Sequence, residues 1–257
     1  MVPQKLKAFF DENREAALAF SGGTDSAYLL SAATECGARV RAYYVKSQFQ
    51  PAFELEDARR LAESLGADMK VIELDVLADG TVAANPPDRC YHCKRRIFGA
   101  IAAAASGDGF SLIIDGTNAS DDAGDRPGMK ALRELSVRSP LREAGITKAE
   151  VRQLSKESGL FTWNKPAYAC LATRIPAGEP ISAEKLRMTE EAESFLTWLG
   201  FSDLRVRTLP GRDGKLFARL QLRDEQLPLL AEKRDEICAA LREKGYAGTL
   251  LDLEVRR

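Results

Sequence analysis

The sequence predicts an α/β protein, with a Rossmann-like parallel-sheet domain followed by a second, smaller α+β domain. In the first half, short apolar strands alternate with helical patterns, and this alternation is typical of βαβ units around a parallel sheet. A Gly-Gly turn follows the first strand directly, at the strand end where such sheets bind ligands. After residue 181 the pattern changes to helix, two strands, helix and strand. We therefore place the first domain at residues 1–180 and the second at 181–257.

Each predicted strand is an apolar run bounded by turn residues, and each predicted helix is a longer segment between two such runs. The strands of the first domain cover residues 16–20, 40–45, 69–74 and 111–115. Its helices cover residues 26–35, 53–65, 94–105 and 148–158, the last with Thr147 as N-cap and Gly159 at its end. The irregular segment 160–180 is long enough to indicate a functional loop or a linker. In the second domain we expect a helix at 182–200, strands at 204–209 and 215–222, a helix at 228–244 and a strand at 248–255.

The composition limits the possible compartments and partners. The 257 residues are 45% hydrophobic and 29% charged, as in a soluble globular protein, and no apolar stretch approaches the ~20 residues that a membrane span needs. The first residues lack the apolar core of a signal peptide, so we expect a cytoplasmic protein without a membrane partner. A net charge of −1 argues against nonspecific binding to nucleic acid, and no nucleic-acid partner is expected. Five cysteines, an odd number, favour metal or redox chemistry over a disulfide framework.

The turn after the first strand has the features of a phosphate-binding loop. Gly22 and Gly23 let the backbone approach an anion, and the following helix adds its positive dipole end. The hydroxyl groups of Ser21, Thr24 and Ser26 add possible donors. The spacing fits neither a Walker loop nor a dinucleotide fingerprint. It resembles the SGGxDS pyrophosphate loop of the ATP pyrophosphatases, which split ATP into AMP and pyrophosphate, and this resemblance implies ATP as a cofactor.

A second polar loop follows the last predicted strand of the first domain and is expected at the same edge of the sheet. Gly116 permits a tight turn, and Thr117 and Asn118 offer side chains for ribose, phosphate or Mg²⁺. Carboxylates suit Mg²⁺ held between phosphates, and three are available nearby: Asp121, Asp122 and Asp125.

Three cysteines are candidates for metal binding. Cys90 and Cys93 form a C-x-x-C, which we place in a loop and which cannot complete a four-ligand zinc site alone. His92 lies between them, in an awkward position for a third ligand. Cys170 is the obvious third thiolate, and three thiolates with an open fourth corner suit a [4Fe–4S] cluster. A thioredoxin-like dithiol and separate structural thiols are the alternatives, and Cys36 and Cys238 are expected to be packing residues.

Longer motifs carry a family resemblance over nearly the whole chain. They read NPPDRCYHCK at 85–94, DGTN at 115–118, DRPG at 125–128, KAEVR at 148–152 and KPAYACLATRIP at 165–176. With the loop at 21–26, these motifs resemble those of the LarE family of ATP-dependent sulfur transferases. The resemblance implies a function in making the nickel-pincer nucleotide of lactate racemase. The substrate would be pyridinium-3,5-biscarboxylic acid mononucleotide, whose carboxylate is adenylated and then converted to a thiocarboxylate.

The resemblance also implies roles for individual residues and two possible sulfur sources. Asp25 would bind Mg²⁺. Cys170 either gives up its own sulfur, or holds a [4Fe–4S] cluster with Cys90 and Cys93 that carries an extra sulfide. The presence of the C-x-x-C favours the cluster-bearing variant. Residues matching those that line the substrate or metal site are Glu193, Arg205, Arg207 and Asp224, and Arg174 beside Cys170 is a further candidate for a bidentate contact with a phosphate or carboxylate.

The second domain raises one further expectation. The family's usual continuation after residues 251–254 is shortened here to Val255-Arg256-Arg257, so a ligand contact made by that tail is in doubt, with Arg256 as a partial replacement. LarE-like proteins imply a homo-oligomer, with a hexamer as one form, and sulfide or another sulfur donor as a partner.

Two other functions stay open at this point. A tRNA thiolase would share the pyrophosphate loop and a three-cysteine cluster, but it would need a broad basic surface or an added RNA-binding domain. A non-catalytic nucleotide- or cluster-binding regulator would keep the loop and lose the catalytic groups, and the presence of Asp25 and the three cysteines weighs against it.

Overall fold

The computed structural model describes residues 1–121, 127–166 and 168–254, and the chain forms two compact units. The first unit contains Met1–Val76 and Asp88–Ala167, and the second contains Leu77–Pro87 and Tyr168–Arg257. The second unit therefore takes in the short excursion 77–87 and begins earlier than the boundary we placed after residue 180.

The first unit contains the parallel sheet predicted from the sequence. Its strands are β1 (Glu15–Ala19), β2 (Arg39–Lys46), β3 (Met69–Glu73) and β4 (Ile113–Asp115). They pair in the order β3-β2-β1-β4, and every pairing is parallel. The chain proceeds from β1 outwards to β3 and then returns to the other side of β1 for β4. The carboxyl ends of β1 and β4 thus flank the switch point where doubly wound sheets bind their ligands.

The helices agree with the predicted ones in the main segments and add several short ones. They are α1 (Gln4–Glu12), α2 (Thr24–Glu35), α3 (Ala52–Ser64), α4 (Gly80–Ala83), α5 (Arg89–Gly107), α6 (Pro127–Glu134), α7 (Pro140–Glu143), α8 (Lys148–Glu157), α9 (Ala183–Trp198), α10 (Leu227–Glu232) and α11 (Arg234–Glu243). Helices α1 and α6 and the single-turn helices α4 and α7 were not predicted. The predicted helix at 228–244 is divided in two at Lys233.

Strand β1 shows why the sheet of the first unit is covered on both faces. Leu18 belongs to an apolar cluster with residues of α1, α2, α3 and α8 on one side. Its neighbour Ala17 belongs to a second cluster that includes Ile101 of α5 and Phe110 on the other side. Because successive strand residues point to opposite faces, a strand segment buried on both sides is apolar, as residues 16–19 of β1 are.

The second unit is built on a three-stranded sheet. Its strands are β5 (Arg205–Pro210), β6 (Leu216–Gln221) and β7 (Gly248–Leu251). β5 pairs antiparallel with β6, and β6 pairs parallel with β7. Apolar residues of α9 and α11, including Leu196 and Leu241, share one buried cluster with Val206 of β5.

The buried side chain of Asn85 links residues 77–87 to the rest of the second unit. The Asn85 amide donates to the carbonyl oxygens of Pro176 and Glu179, at 2.7 and 3.0 Å. Two backbone hydrogen bonds join the same segments: Gly178 N–H donates to the Asn85 carbonyl, and Ile181 N–H donates to the Ala83 carbonyl. Among the described residues, no helix has the length and apolar character needed to cross a membrane.

Candidate nucleotide and sulfur sites

The loop between β1 and α2 has the backbone of an anion cradle. Gly22 adopts a φ of +70°, a conformation that glycine takes without strain, and a Cβ there would lie 3.0 Å from the Cβ of Ala58. Gly23 is the N-cap of α2, so the helix begins directly behind the turn. The first N–H groups of a helix lack intrahelical acceptors and are available to an anion.

The hydroxyl groups of the loop are engaged in shaping it. Thr24 is buried and donates to the Thr162 carbonyl at 2.8 Å, which ties the loop to the segment after α8. Ser26 is also buried, and its hydroxyl lies 3.1 Å from that of Ser21 and 3.2 Å from the Gly23 carbonyl oxygen. The backbone N–H groups and the exposed Ser21 are thus the groups of this loop best placed to meet a ligand.

Gly116, directly after β4, lies against the start of α2. A Cβ on Gly116 would lie 2.8 Å from the Ser26 nitrogen and 3.2 Å from the Asp25 carbonyl carbon. Both neighbours are backbone atoms that cannot rotate away. A side chain at position 116 would therefore displace the start of α2 or the end of β4, and only glycine fits this close approach.

Asp25 of the first loop contacts both Asn118 of the second loop and Lys148, a residue that was not among the predicted site residues. Its Oδ2 accepts from Lys148 Nζ at 2.6 Å, and its Oδ1 accepts from the Asn118 side chain at 3.3 Å. Lys148 is the first residue of α8, which is fixed by a capping box between Thr147 and Glu150. The signal that would have found Lys148 is its position directly after a clear N-cap in one of the longer motifs.

The second polar loop is held by its own side chains. The Asp115 carboxylate accepts from the Thr117 hydroxyl at 2.6 Å and from the Ser139 hydroxyl at 2.6 Å. Asp121 accepts from the Asn118 N–H at 2.8 Å, so this carboxylate stabilises the turn. The other two acidic candidates for Mg²⁺, Asp122 and Asp125, lie outside the described residues.

The C-x-x-C lies on a helix, and the prediction of a loop was wrong. Helix α5 begins at Arg89, so Cys90 and Cys93 are in its first turns. Residues three apart share a helix face, which brings the two thiols to the same side. Arg89 Nη2 lies 3.7 Å from Cys90 Sγ, and His92 pairs with Asp88 at 3.3 Å. The prediction failed because the proline-rich segment 86–87 was taken to continue as a loop through the cysteines.

Cys170 belongs to the second unit, where it precedes the 3-10 turn Leu171–Arg174. Two candidate substrate residues meet beside it: the buried Arg174 binds the buried Glu193 through two hydrogen bonds, at 2.7 and 3.2 Å. Arg205 is buried as well, with its guanidinium 5.1 Å from the centre of the Tyr168 ring.

The remaining candidates are more accessible. Arg207 is half-buried, and it donates to the Gln221 side chain at 2.7 Å and to the Thr173 carbonyl at 2.6 Å. Asp224 is exposed at the start of a separate turn, Asp224–Gln226. Arg256 lies outside the described residues. The structure thus brings Arg174, Glu193, Arg205 and Arg207 together around the segment that carries Cys170.

None of the five cysteines, all of which are described, forms a disulfide. Within the described residues of either unit, no group of three or more His, Cys, Asp and Glu side chains is arranged to hold a metal ion. Cys90 and Cys93 belong to the first unit, and Cys170 belongs to the second.

Comparison with known proteins places the chain in a family. Residues 15–85 match the family of the queuosine biosynthesis protein QueC. A pyridinium-3,5-bisthiocarboxylic acid mononucleotide synthase of Lactiplantibacillus plantarum is 32% identical over 250 residues, which cover 96% of this chain and 89% of that protein. Uncharacterised proteins of Synechocystis and of Methanocaldococcus jannaschii are 35% and 30% identical, over 98% and 96% of this chain and 93% and 92% of theirs.

A parallel sheet with a Ser-Gly-Gly loop at its switch point defines the class, a PP-loop ATP pyrophosphatase. With a relative of that identity over almost its full length, the chain belongs to the LarE family, the pyridinium-3,5-bisthiocarboxylic acid mononucleotide synthases, as its motifs predicted.

Proposed function

We propose that this chain is an ATP-dependent sulfur transferase that adenylates a carboxylate of pyridinium-3,5-biscarboxylic acid mononucleotide and converts it to a thiocarboxylate. The observation that carries the proposal is the near full-length similarity to a synthase of that product. The cradle formed by the loop after β1, Gly116 and the N-terminus of α2 supports the ATP-dependent half of the reaction.

Adenylation is needed because a carboxylate has no leaving group that sulfur can displace. The carboxylate oxygen attacks the α-phosphorus of ATP, the bond to the β-phosphate oxygen breaks, and pyrophosphate leaves. In this proposal the pyrophosphate lies on the N–H groups at the start of α2, whose partial positive charge stabilises it. Mg²⁺, when bound, neutralises charge on the phosphates.

Asp25 is the proposed Mg²⁺ ligand, and Lys148 is the proposed partner of the phosphates. Both belong to one hydrogen-bonded cluster in the first unit, where Asp25 would hold the metal ion and the Lys148 ammonium would then pair with a phosphate oxygen. This exchange gives each charged group a partner both before and after ATP binds.

The sulfur step has two candidate routes, both of which use Cys170. In one, the Cys170 thiolate attacks the acyl-adenylate, AMP leaves, and loss of the Cα proton then breaks the Cβ–Sγ bond to give the thiocarboxylate and dehydroalanine. In the other, Cys90, Cys93 and Cys170 would hold a [4Fe–4S] cluster that carries an extra sulfide, and this sulfide would be the nucleophile. The C-x-x-C on one helix face supports the second route, which we favour.

The decisive experiment is a thiolation assay with Mg-ATP and the pyridinium dicarboxylate mononucleotide, after anaerobic reconstitution with iron and sulfide. Wild type is compared with Cys90→Ala, Cys93→Ala and Cys170→Ala, and unmodified tRNA is supplied as the competing substrate. We expect several thiocarboxylate products per protein, and their loss in each cysteine variant.

The other results are equally informative. One product per protein, with Cys170 about 34 Da lighter, would establish the sacrificial route and leave Cys90 and Cys93 without a role in it. Thiolated tRNA with no thiocarboxylate would overturn the proposed substrate, and ATP binding without pyrophosphate release would indicate a non-catalytic regulator. The cytoplasmic location, the homo-oligomer and the sulfur donor stay predictions of the sequence.

A further inference from the structure

Glu193 of α9 binds the chain on both sides of Cys170. Its Oε2 accepts from the Tyr168 hydroxyl at 2.6 Å, two residues before the cysteine. Its Oε1 accepts from Arg174 Nε at 2.7 Å, four residues after the cysteine. One carboxylate on a helix of the second unit therefore anchors both ends of the short segment that carries the thiol.

The same carboxylate has no unused acceptor position for a ligand. Besides the two bonds above, Oε1 accepts from the Val206 N–H at 2.9 Å, and Oε2 accepts from Arg174 Nη2 at 3.2 Å. A carboxylate has about four acceptor sites in total. Glu193 is 6% exposed and Arg174 is 1% exposed, so neither side chain presents its charged end to solvent.

A second set of contacts passes from this ion pair to Cys170 itself. Arg174 Nη1 donates to the Thr173 hydroxyl at 2.8 Å and to the Ala169 carbonyl at 3.1 Å. The Thr173 hydroxyl in turn donates to the Cys170 carbonyl at 2.8 Å. Arg174 also covers the Tyr168 ring, with its guanidinium carbon 4.7 Å from the ring centre. The backbone at the cysteine is thus held through several charge-assisted hydrogen bonds.

We propose that Glu193 is a positioning residue, which with Tyr168 and Arg174 fixes the Cys170 thiol for sulfur transfer, and that it contacts neither substrate nor metal. The role of Cys170 in sulfur transfer rests on the proposed function. The hydrogen-bonded group of Glu193, Tyr168 and Arg174, called the clamp below, lies entirely within the second unit. It replaces the substrate-lining role that the family resemblance implies for Glu193 and the anion-binding role suggested for Arg174. The clamp serves either sulfur route, because a nucleophile and a cluster ligand both need a fixed thiol.

The test measures the rate at which the Cys170 thiol is alkylated, and it needs no substrate. Iodoacetamide alkylation of Cys170 is followed by peptide mass spectrometry in wild type, Glu193→Gln and Tyr168→Phe. The Tyr168→Phe variant removes one hydrogen bond and leaves the ion pair, so it is expected to fold even where the Glu193 variant does not. Glu191→Gln is the matched control, since Glu191 lies on the same helix in an exposed pair with Arg187.

We expect Cys170 to be alkylated at least about threefold faster in Tyr168→Phe and Glu193→Gln, because a segment released from its anchors opens more often. The control keeps the wild-type rate. In the thiolation assay the same two variants lower kcat and leave the KM for ATP unchanged, because ATP binds to the first unit. Wild-type alkylation rates and kcat in a folded Tyr168→Phe, or a change confined to the KM for the pyridinium nucleotide, would overturn the proposal. If the variants are alkylated faster but the wild-type protein makes no thiocarboxylate, the clamp is supported and the proposed function is rejected.

Discussion

Replacing Gly116 by alanine should weaken ATP binding by blocking the phosphate cradle. The added methyl carbon would lie 2.8 Å from the Ser26 nitrogen, closer than non-bonded atoms approach, and a tight 3.1 Å from the Ser26 Cα. Relief requires the start of α2 or the strand end to move, and overpacking of this kind costs about 1–3 kcal/mol. The displaced N–H groups are those proposed to bind pyrophosphate, so we expect the Kd for ATP to rise by roughly tenfold or more, since about 1.4 kcal/mol corresponds to a factor of ten.

The assay is equilibrium binding of Mg-ATP, measured beside urea unfolding of the same preparations. Gly99→Ala is the matched control: Gly99 lies inside α5 of the same unit, and a Cβ there meets nothing within 4 Å. Alanine in a helix interior should stabilise the protein by about 0.5–1 kcal/mol and leave the Kd unchanged. A Gly116→Ala protein that binds ATP as tightly as wild type would refute the assignment of this cradle to phosphate.

Three further changes test other parts of the structure. Lys148→Met removes the ammonium that pairs with Asp25, and we expect adenylation, measured as pyrophosphate release, to fall by roughly 10²-fold, whereas an unchanged rate would exclude Lys148 from phosphate binding. Asn85→Ala removes two buried hydrogen bonds, to Pro176 and Glu179, and should lower the free energy of unfolding by about 2 kcal/mol; a change below about 0.5 kcal/mol would show that residues 77–87 are anchored by other contacts. The hydrogen bond from Lys70, with one from Tyr43, lowers the pKa of Asp108 to about 2, so its contribution is complete above the unfolded pKa of about 3.9 and is lost as the pH falls through 2. Urea midpoints should therefore decrease less between pH 5 and pH 2 in Asp108→Asn than in wild type, and equal decreases would contradict this linkage.

The sheet of the first unit was predictable because its strands and ligand loop are marked by short local sequence patterns. Strands buried on both faces read as apolar runs, and the glycine pair after the first run fixes where the ligand loop begins. The start of α5 was missed since Arg89 and the cysteines carry no strong helix signal after two prolines. The break at Lys233 was missed because helical residues continue on both sides of it.

The sequence selects candidate residues for the site, but it does not predict the contacts between them. Asp25 and Arg174 are candidates because of their residue type and position in a motif, and Glu193 is a candidate because of the family resemblance. Which charge neutralises which depends on pairings across long stretches of chain, such as Lys148 with Asp25, and no local pattern encodes them. For the same reason a motif could not show that the Glu193 carboxylate is fully occupied by protein donors.

The route of the chain through the second unit has a consequence for its biosynthesis. Asn85 leaves the ribosome long before its acceptors, since Pro176 lies 91 residues later. At a synthesis rate of roughly 5–20 residues per second, the segment 77–87 waits for some 5–20 s before its partners emerge. During that interval its buried amide and apolar Val82 are open to solvent and to chaperones. A fragment that begins at Tyr168 would lack residues 77–87. Separate expression of the second unit must therefore include these residues, for instance through circular permutation.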